Sequence, residues 1–294
     1  MKYCKWLVVL LFFWSCDNQP QNDGTQTAST ALPSIEEATT TNDNSNNTKP
    51  VINDSLIKFD NPNLSEEEKA RIMDKISKKY LMGQFDPTKD ERFQKIPNPY
   101  ADKEMYMRKE ALASFKKMHE AAKKDGIKFR IVSATRPFNA QKAIWEAKWS
   151  GKRKVDGKLL SPTVKDPKAR AIKILRWSSM PSTSRHHWGT DIDINSVNPA
   201  YFESGQGLKE YEWLTAHASE YGFCQVYSPM GKDRPFGYQE EKWHWSYLPI
   251  SQELTTEYAK QITDQDISGF LGSESAPLIE VVKKYVLGIN PTCK

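Results

Sequence analysis

One short segment constrains this chain more than any other. Ser184 to Asn195 reads Ser-Arg-His-His-Trp-Gly-Thr-Asp-Ile-Asp-Ile-Asn. Gly189 permits a turn that a Cβ would hinder. Beyond it, Thr190 to Ile194 alternates, which predicts a strand with Asp191 and Asp193 on one face and Ile192 and Ile194 on the other. A strand that buries its isoleucines turns its aspartates toward a cleft. A buried carboxylate pair without a cation is costly, so the pattern favours a metal.

A second segment, Glu241-Lys242-Trp243-His244-Trp245, supplies what the first lacks. His186, His244 and the carboxylate of Asp193 leave a fourth position for water, the pattern of a catalytic zinc site. Glu241 is then the spare carboxylate that takes a proton from that water. His187 adjoins His186 and should point elsewhere, as a structural neighbour. His119 and His217 lie on predicted helices and read as surface residues. Trp188, Trp243 and Trp245 read as core or wall.

The N-terminus places this chemistry outside the cytoplasm. Lys2 and Lys5 precede an apolar run from Trp6 to Trp14, too short to span a bilayer and suited to a signal sequence. Ser15-Cys16 follows at once and resembles a bacterial lipoprotein signal over residues 1–16, with Cys16 as the lipidated residue and the membrane as a partner. Residues 17–54 are rich in Asn, Thr, Ser and Asp and lack aromatics. Such a segment cannot offset its chain entropy and is expected to be a disordered tether. With Cys4 in the signal and Cys16 lipidated, Cys224 and Cys293 remain. A disulfide between them and two free thiols are both compatible with the sequence. The basic excess behind the net charge of +5 is spread along the chain. It forms no dense stripe, which argues against a nucleic-acid partner.

The rest, residues 55–294, reads as one domain. Ser65 and Glu68 form a capping box ahead of Ile72, Ile76, Tyr80 and Leu81. Apolar spacing predicts helices over Ala101–Lys124, Pro137–Trp149, Asp166–Arg176, Tyr211–Tyr221, Ser251–Thr263 and Ala276–Val286. Strands are predicted over Ile127–Val132, Phe223–Tyr227 and Lys242–Trp245. The C-terminal strands are joined by loops rather than crossover helices. The expected class is α+β, a small antiparallel sheet carrying the site and packed by helices. A monomer is expected.

Ser184-x-His186-x-x-Gly189-x-x-x-Asp193 followed by Glu241-x-Trp243-His244 resembles the VanY-type D-alanyl-D-alanine carboxypeptidases, a family of zinc peptidases with a hedgehog-like fold. The resemblance covers about residues 80–250 and leaves 250–294 as a helical extension. It implies that His186, Asp193 and His244 hold Zn2+ and that Glu241 is the general base. Ser133-Ala134-Thr135-Arg136-Pro137 with Gln141 matches a further family segment. It implies that Arg136 binds the substrate carbonyl or its oxyanion, with Gln141 at the substrate too. Ser184 is read as orienting the loop or touching substrate. Asp191 stands where many members have a small residue, and is read as a ligand contact or as reshaping the pocket. Lys242 and Ser246 depart from a frequent proline and arginine.

The implied reaction is removal of the terminal D-alanine from peptidoglycan stem peptides by an envelope-anchored enzyme. An L,D-carboxypeptidase, endopeptidase or D,D-dipeptidase of the same fold, or a non-catalytic wall-binding module, would share most of these residues.

Overall fold

The computed structural model describes residues 76–294. The signal sequence with Cys16, the tether and the Ser65 capping box lie outside the described residues. Lys78–Leu81 forms a short helix, α1, whose N-cap Ser77 accepts from the Tyr80 amide. Phe93–Lys95 (β1) and Tyr106–Arg108 (β2) then pair antiparallel. This hairpin shortens the helix expected from Ala101. Once Tyr106–Arg108 is committed to a strand, helix α2 begins at Lys109 and runs to Lys124. It buries Leu112, Phe115, Met118 and Ala122 along one face. His119 shares that face, bonded to the Phe129 carbonyl oxygen and set edge-on to Tyr100. The surface reading of His119 is therefore corrected.

The central sheet has the order β3–β4–β6–β5, from Ile131–Ser133 (β3), Asp191–Ile194 (β4), Phe223–Gln225 (β5) and His244–Tyr247 (β6), and every pairing is antiparallel. β3 is shorter than its alternation predicts because Asn195 replaces the ladder beside it. The left-handed Asn195 (φ 61°) ends β4, accepts from the Arg130 amide and donates through Nδ2 to the Lys128 carbonyl. Ile192 and Ile194 are fully buried, which fixes which way the alternate Asp193 must face. The β4–β6 register sets Asp193 opposite His244 and Asp191 opposite Ser246.

Helix α3 (Phe138–Trp149) follows β3, as expected. Leu160–Thr163 (α4) and Pro167–Ile174 (α5, N-capped by Asp166) lead to the loop bearing His186. Helix α6 (Gly205–His217) starts six residues earlier than predicted and ends in a short 3-10 turn closed by left-handed Gly222. Leu248–Gln261 (α7) and Ser275–Ile279 (α8) close the chain. The helix expected over 276–286 is broken by Glu280 at φ 57°, after which a single π turn forms.

The C-terminal segment covers the free edge of β5. Asn290 donates its amide to Val226 and its side chain to Gln225, and Cys293 is disulfide-bonded to Cys224. An uncovered sheet edge is a template for unwanted pairing, and this segment removes it. Residues 76–294 fall within one compact unit. No helix among the described residues is long and apolar enough to cross a membrane.

Candidate active site

Two imidazoles and a carboxylate meet because a turn and a sheet register bring them together. Arg185–Trp188 is one 3-10 turn, closed by Gly189 at φ 76°. A Cβ at Gly189 would overlap the Phe93 ring, so glycine is required for space as well as for conformation. The turn presents His186. Its Nδ1 lies 2.9 Å from the Ala134 carbonyl oxygen. A carbonyl can only accept, so Nδ1 carries the proton and Nε2 keeps a lone pair. Asp193 arrives from β4 and His244 from the opposite position on β6. His186 Nε2 is 3.4 Å from Asp193 Oδ2, and His244 Nδ1 is 3.3 Å from Asp193 Oδ1. One ligand atom from each of the three lies within 4.8 Å of the others, and all three residues are buried.

These residues fit a divalent cation. Asp193 Oδ1 is buried with no hydrogen-bond partner. Burial opposes ionisation of Asp193, but His186 and His244 outweigh it and hold the carboxyl far below its ordinary range. Burial likewise pulls His244 down, yet the neighbouring Asp191, Asp193 and Glu241 raise it well above an ordinary histidine. Asp191 is already paired with Arg185, but Asp193 and Glu241 both face Nδ1 of His244, and a bound cation would neutralise the negative charge they bring there.

Glu241 Oε2 lies 3.3 Å from His244 Nδ1, and burial raises the Glu241 carboxyl above its ordinary range. Arg136 enters from the segment after β3. Its guanidinium donates to Ser133 Oγ (2.7 Å) and to Gln141 Oε1 (2.8 Å), and its Nη2 stands 3.8 Å from Asp193 Oδ2. The trio, Glu241 and Arg136 all line one cleft of about 460 Å³.

Residues 104–250, half of the chain, match the family model described as VanY, D-alanyl-D-alanine carboxypeptidase. The chain belongs to the VanY family. It is 28% identical over 208 residues to a putative carboxypeptidase, YodJ, of Bacillus subtilis, covering 67% of this chain and 65% of that protein. It is 29% identical over 133 residues to a D-alanyl-D-alanine carboxypeptidase of Enterococcus faecalis, covering 45% of each. The chain thus spans less than two thirds of the length of either relative. Among solved structures, VanYB in complex with D-alanine-D-alanine aligns with a TM-score of 0.43 at 22% identity, covering 59% of this chain and 85% of that one.

Within this VanY domain, three residues read as candidate substrate contacts, Asp191, Gln141 and Ser184, lie outside the cleft lining. Asp191 is 0% exposed and does not line the cleft. It accepts from Arg185 Nε (3.0 Å), Thr190 Oγ1 (2.7 Å), Ser246 Oγ (2.9 Å) and His244 Nε2 (3.0 Å). Asp191 and Asp193 do share a strand face, but His244 lies over Asp191 and screens it from the cleft. Gln141 is also fully buried: it accepts from Arg136 and donates to the Ser179 carbonyl (2.6 Å). It holds Arg136 and does not line the cleft. Ser184 is buried outside the cleft lining and starts the turn that carries His186.

His187 takes its place as a structural neighbour. It bonds through Nδ1 to the Arg136 carbonyl and accepts from the Ser182 amide, and burial lowers its pKa to about 3. Arg185 fills an unassigned position inside the first motif, and Lys148, Tyr227 and Tyr238 stand outside the motifs that mark the site in the sequence. Tyr227 packs on His244 at 4.8 Å between ring centroids, and both tyrosines line the cleft. Lys148 is legible in principle, since Gln141, Ile144 and Lys148 follow helical spacing on α3.

Proposed function

We propose that this protein is a zinc-dependent carboxypeptidase that removes the terminal D-alanine from peptidoglycan stem peptides. The observation that carries this reading is the convergence of His186, Asp193 and His244 with Glu241 and Arg136 in one cleft. Family membership supplies the reaction class, and the substrate follows from the relatives' stated activity.

His186 Nε2, His244 Nδ1 and an Asp193 oxygen would hold the zinc. Zinc there supplies a Lewis acid that polarises an oxygen and acidifies water toward neutral pH. The Ala134 carbonyl and the Asp191 carboxylate fix the two imidazoles with their lone pairs inward. Glu241 takes the proton of the attacking water at Oε2 and delivers it to the leaving amine. Its raised affinity for a proton suits both transfers. Arg136, locked by Ser133 and Gln141, donates to the scissile carbonyl oxygen as negative charge develops on it.

The enzyme acts in the cell envelope, held by lipid at Cys16. Support for this is the sequence of residues 1–16. Cys16→Ser should abolish fatty-acid labelling and release the protein from membranes.

The reaction is tested by measuring D-alanine released from a purified stem pentapeptide, with and without chelator. Release should stop with chelator, return with zinc and fail in Glu241→Ala. Activity indifferent to both treatments would sink the proposal.

A further inference from the structure

The cleft lining carries charges of both signs. Asp193 and Glu241 are its carboxylates, and Arg136, Lys148 and Arg153 are its cations. Lys148 is the unusual member. It sits near the C-terminal end of α3, only 9% exposed, and its ammonium donates to the hydroxyl of Ser178. Among the described residues no carboxylate lies within ion-pair distance of Lys148 or Arg153. Arg136 beside them already donates to Ser133 and Gln141.

A nearly buried lysine without a carboxylate partner is costly to keep. Burial, reinforced by Arg153 and Arg136, lowers its pKa to about 8. A residue that served packing alone would do better without the charge. An ammonium facing a ligand cleft, by contrast, gains its counter-ion when the ligand arrives, in a partly dry site where the pairing is strong.

We infer that Lys148, assisted by Arg153, forms a subsite that binds a carboxylate of the peptide substrate while the scissile carbonyl lies at Arg136 and the His186–Asp193–His244 trio. This rests on the proposed peptidase reading. Two carboxylates of a stem peptide have the required chemistry: the α-carboxylate of the leaving residue and a side-chain carboxylate further along. The shared cleft favours the α-carboxylate: Lys148 lines it together with Arg136 and Glu241, the groups proposed to act on the scissile bond.

The test measures binding, so that it stands apart from turnover. Zinc-loaded Glu241→Gln protein is titrated calorimetrically with three versions of a stem pentapeptide: the free acid, its C-terminal amide, and the peptide with its side-chain carboxylates amidated. The parent should prefer the free acid to the amide. Adding Lys148→Met, which keeps the aliphatic stem, should weaken acid binding by roughly 10- to 100-fold and leave amide binding unchanged. Lys148→Arg should restore part of the preference. If the variant instead loses preference for the side-chain carboxylate, that group is the ligand and the subsite stands.

Unchanged affinities for all three peptides would overturn the inference. So would an equal loss on all three, the signature of a structural role through Ser178. Acid-selective binding by a wild-type protein that releases no D-alanine would preserve the subsite and refute the proposed reaction.

Discussion

Asp191 Oδ1 lies 3.0 Å from Nε2 of His244, on the far side of the imidazole from the cleft. That contact keeps the proton on Nε2, so Nδ1, which faces Asp193 and Glu241, is the nitrogen that would give up its proton to a bound metal. Asp191 itself is held by Arg185, whose guanidinium stacks over Trp188 at 4.6 Å and reaches Ser246 Oγ at 3.1 Å. Burial opposes the Asp191 charge, but Arg185 and His244 outweigh it and keep the carboxyl far below its ordinary range. The small Ser246, opposite Asp191 in the sheet, leaves room for that guanidinium.

Asp191→Asn should therefore damage the site without removing a ligand. Zinc affinity should fall by roughly 10- to 100-fold. Stability should fall by about 3 kcal/mol or more, since Arg185 is left buried without its carboxylate. Competition with a chromophoric chelator and urea unfolding measure the two effects. Unaltered zinc affinity would show that Asp191 does not orient His244.

Glu241→Gln should behave in the opposite way. The kcat should drop by roughly 10²- to 10⁴-fold while bound zinc, measured by atomic absorption, stays at the wild-type level. Loss of the metal together with activity would make Glu241 a ligand instead of a base.

Chelator should destabilise the fold as well as silence it, because the buried His186–Asp193–His244 trio loses the cation it would hold. Zinc at about 100 times its dissociation constant should restore ~2.7 kcal/mol. Calorimetric melting at graded zinc concentrations reads this directly, and a midpoint independent of zinc would contradict it.

Lys148 gives a pH signature with a definite sign. Its folded pKa is lowered to about 8 from 10.5. Between those values the unfolded chain binds more protons than the folded one, so stability rises with pH across this window. Below about pH 8 the burial cost is fully present. Lys148→Met should thus stabilise the protein at pH 7 by ~1–3 kcal/mol and lose that advantage near pH 10.5. Urea midpoints at the two values check it, and a variant no more stable at pH 7 would refute the burial cost.

The Cys224–Cys293 bridge closes a loop with a sequence separation of 69. In the chain-entropy account such a loop is worth about 4 kcal/mol, and native bridges typically contribute 2–5 kcal/mol. Cys293→Ser should lower the melting temperature, and reductant should lower that of the wild type but leave the variant unmoved. A reductant-insensitive wild type would show that the bridge does not form.

Much of the site is legible in the amino-acid sequence. His186, Gly189, Asp193, Glu241 and His244 stand in a spacing whose chemistry is narrow, and the alternation after Gly189 sets the face on which Asp193 must lie. The roles of Asp191, Gln141 and Ser184 are not legible there. Each is a polar residue beside a ligand or a binding group, and sequence does not distinguish a residue that touches substrate from one that holds its neighbour. That difference is one of burial and partner, as with Gln141 between Arg136 and Ser179. The β1–β2 hairpin is hidden for a related reason. Tyr106–Arg108 is too short to show a period, and it becomes a strand only by pairing with Phe93–Lys95.

The sequence by itself determined the α+β class, the family and the side chains that could hold a metal, because local periodicity and motif spacing carry that information along the chain. Tertiary structure alone decided that Asp193 faces His244, that Asp191 lies behind it, that Cys224 meets Cys293 and that Lys148 enters the cleft. All four depend on strand register or on packing between distant segments. There the free energy belongs to pairs of residues far apart in the chain, and neither member announces its partner.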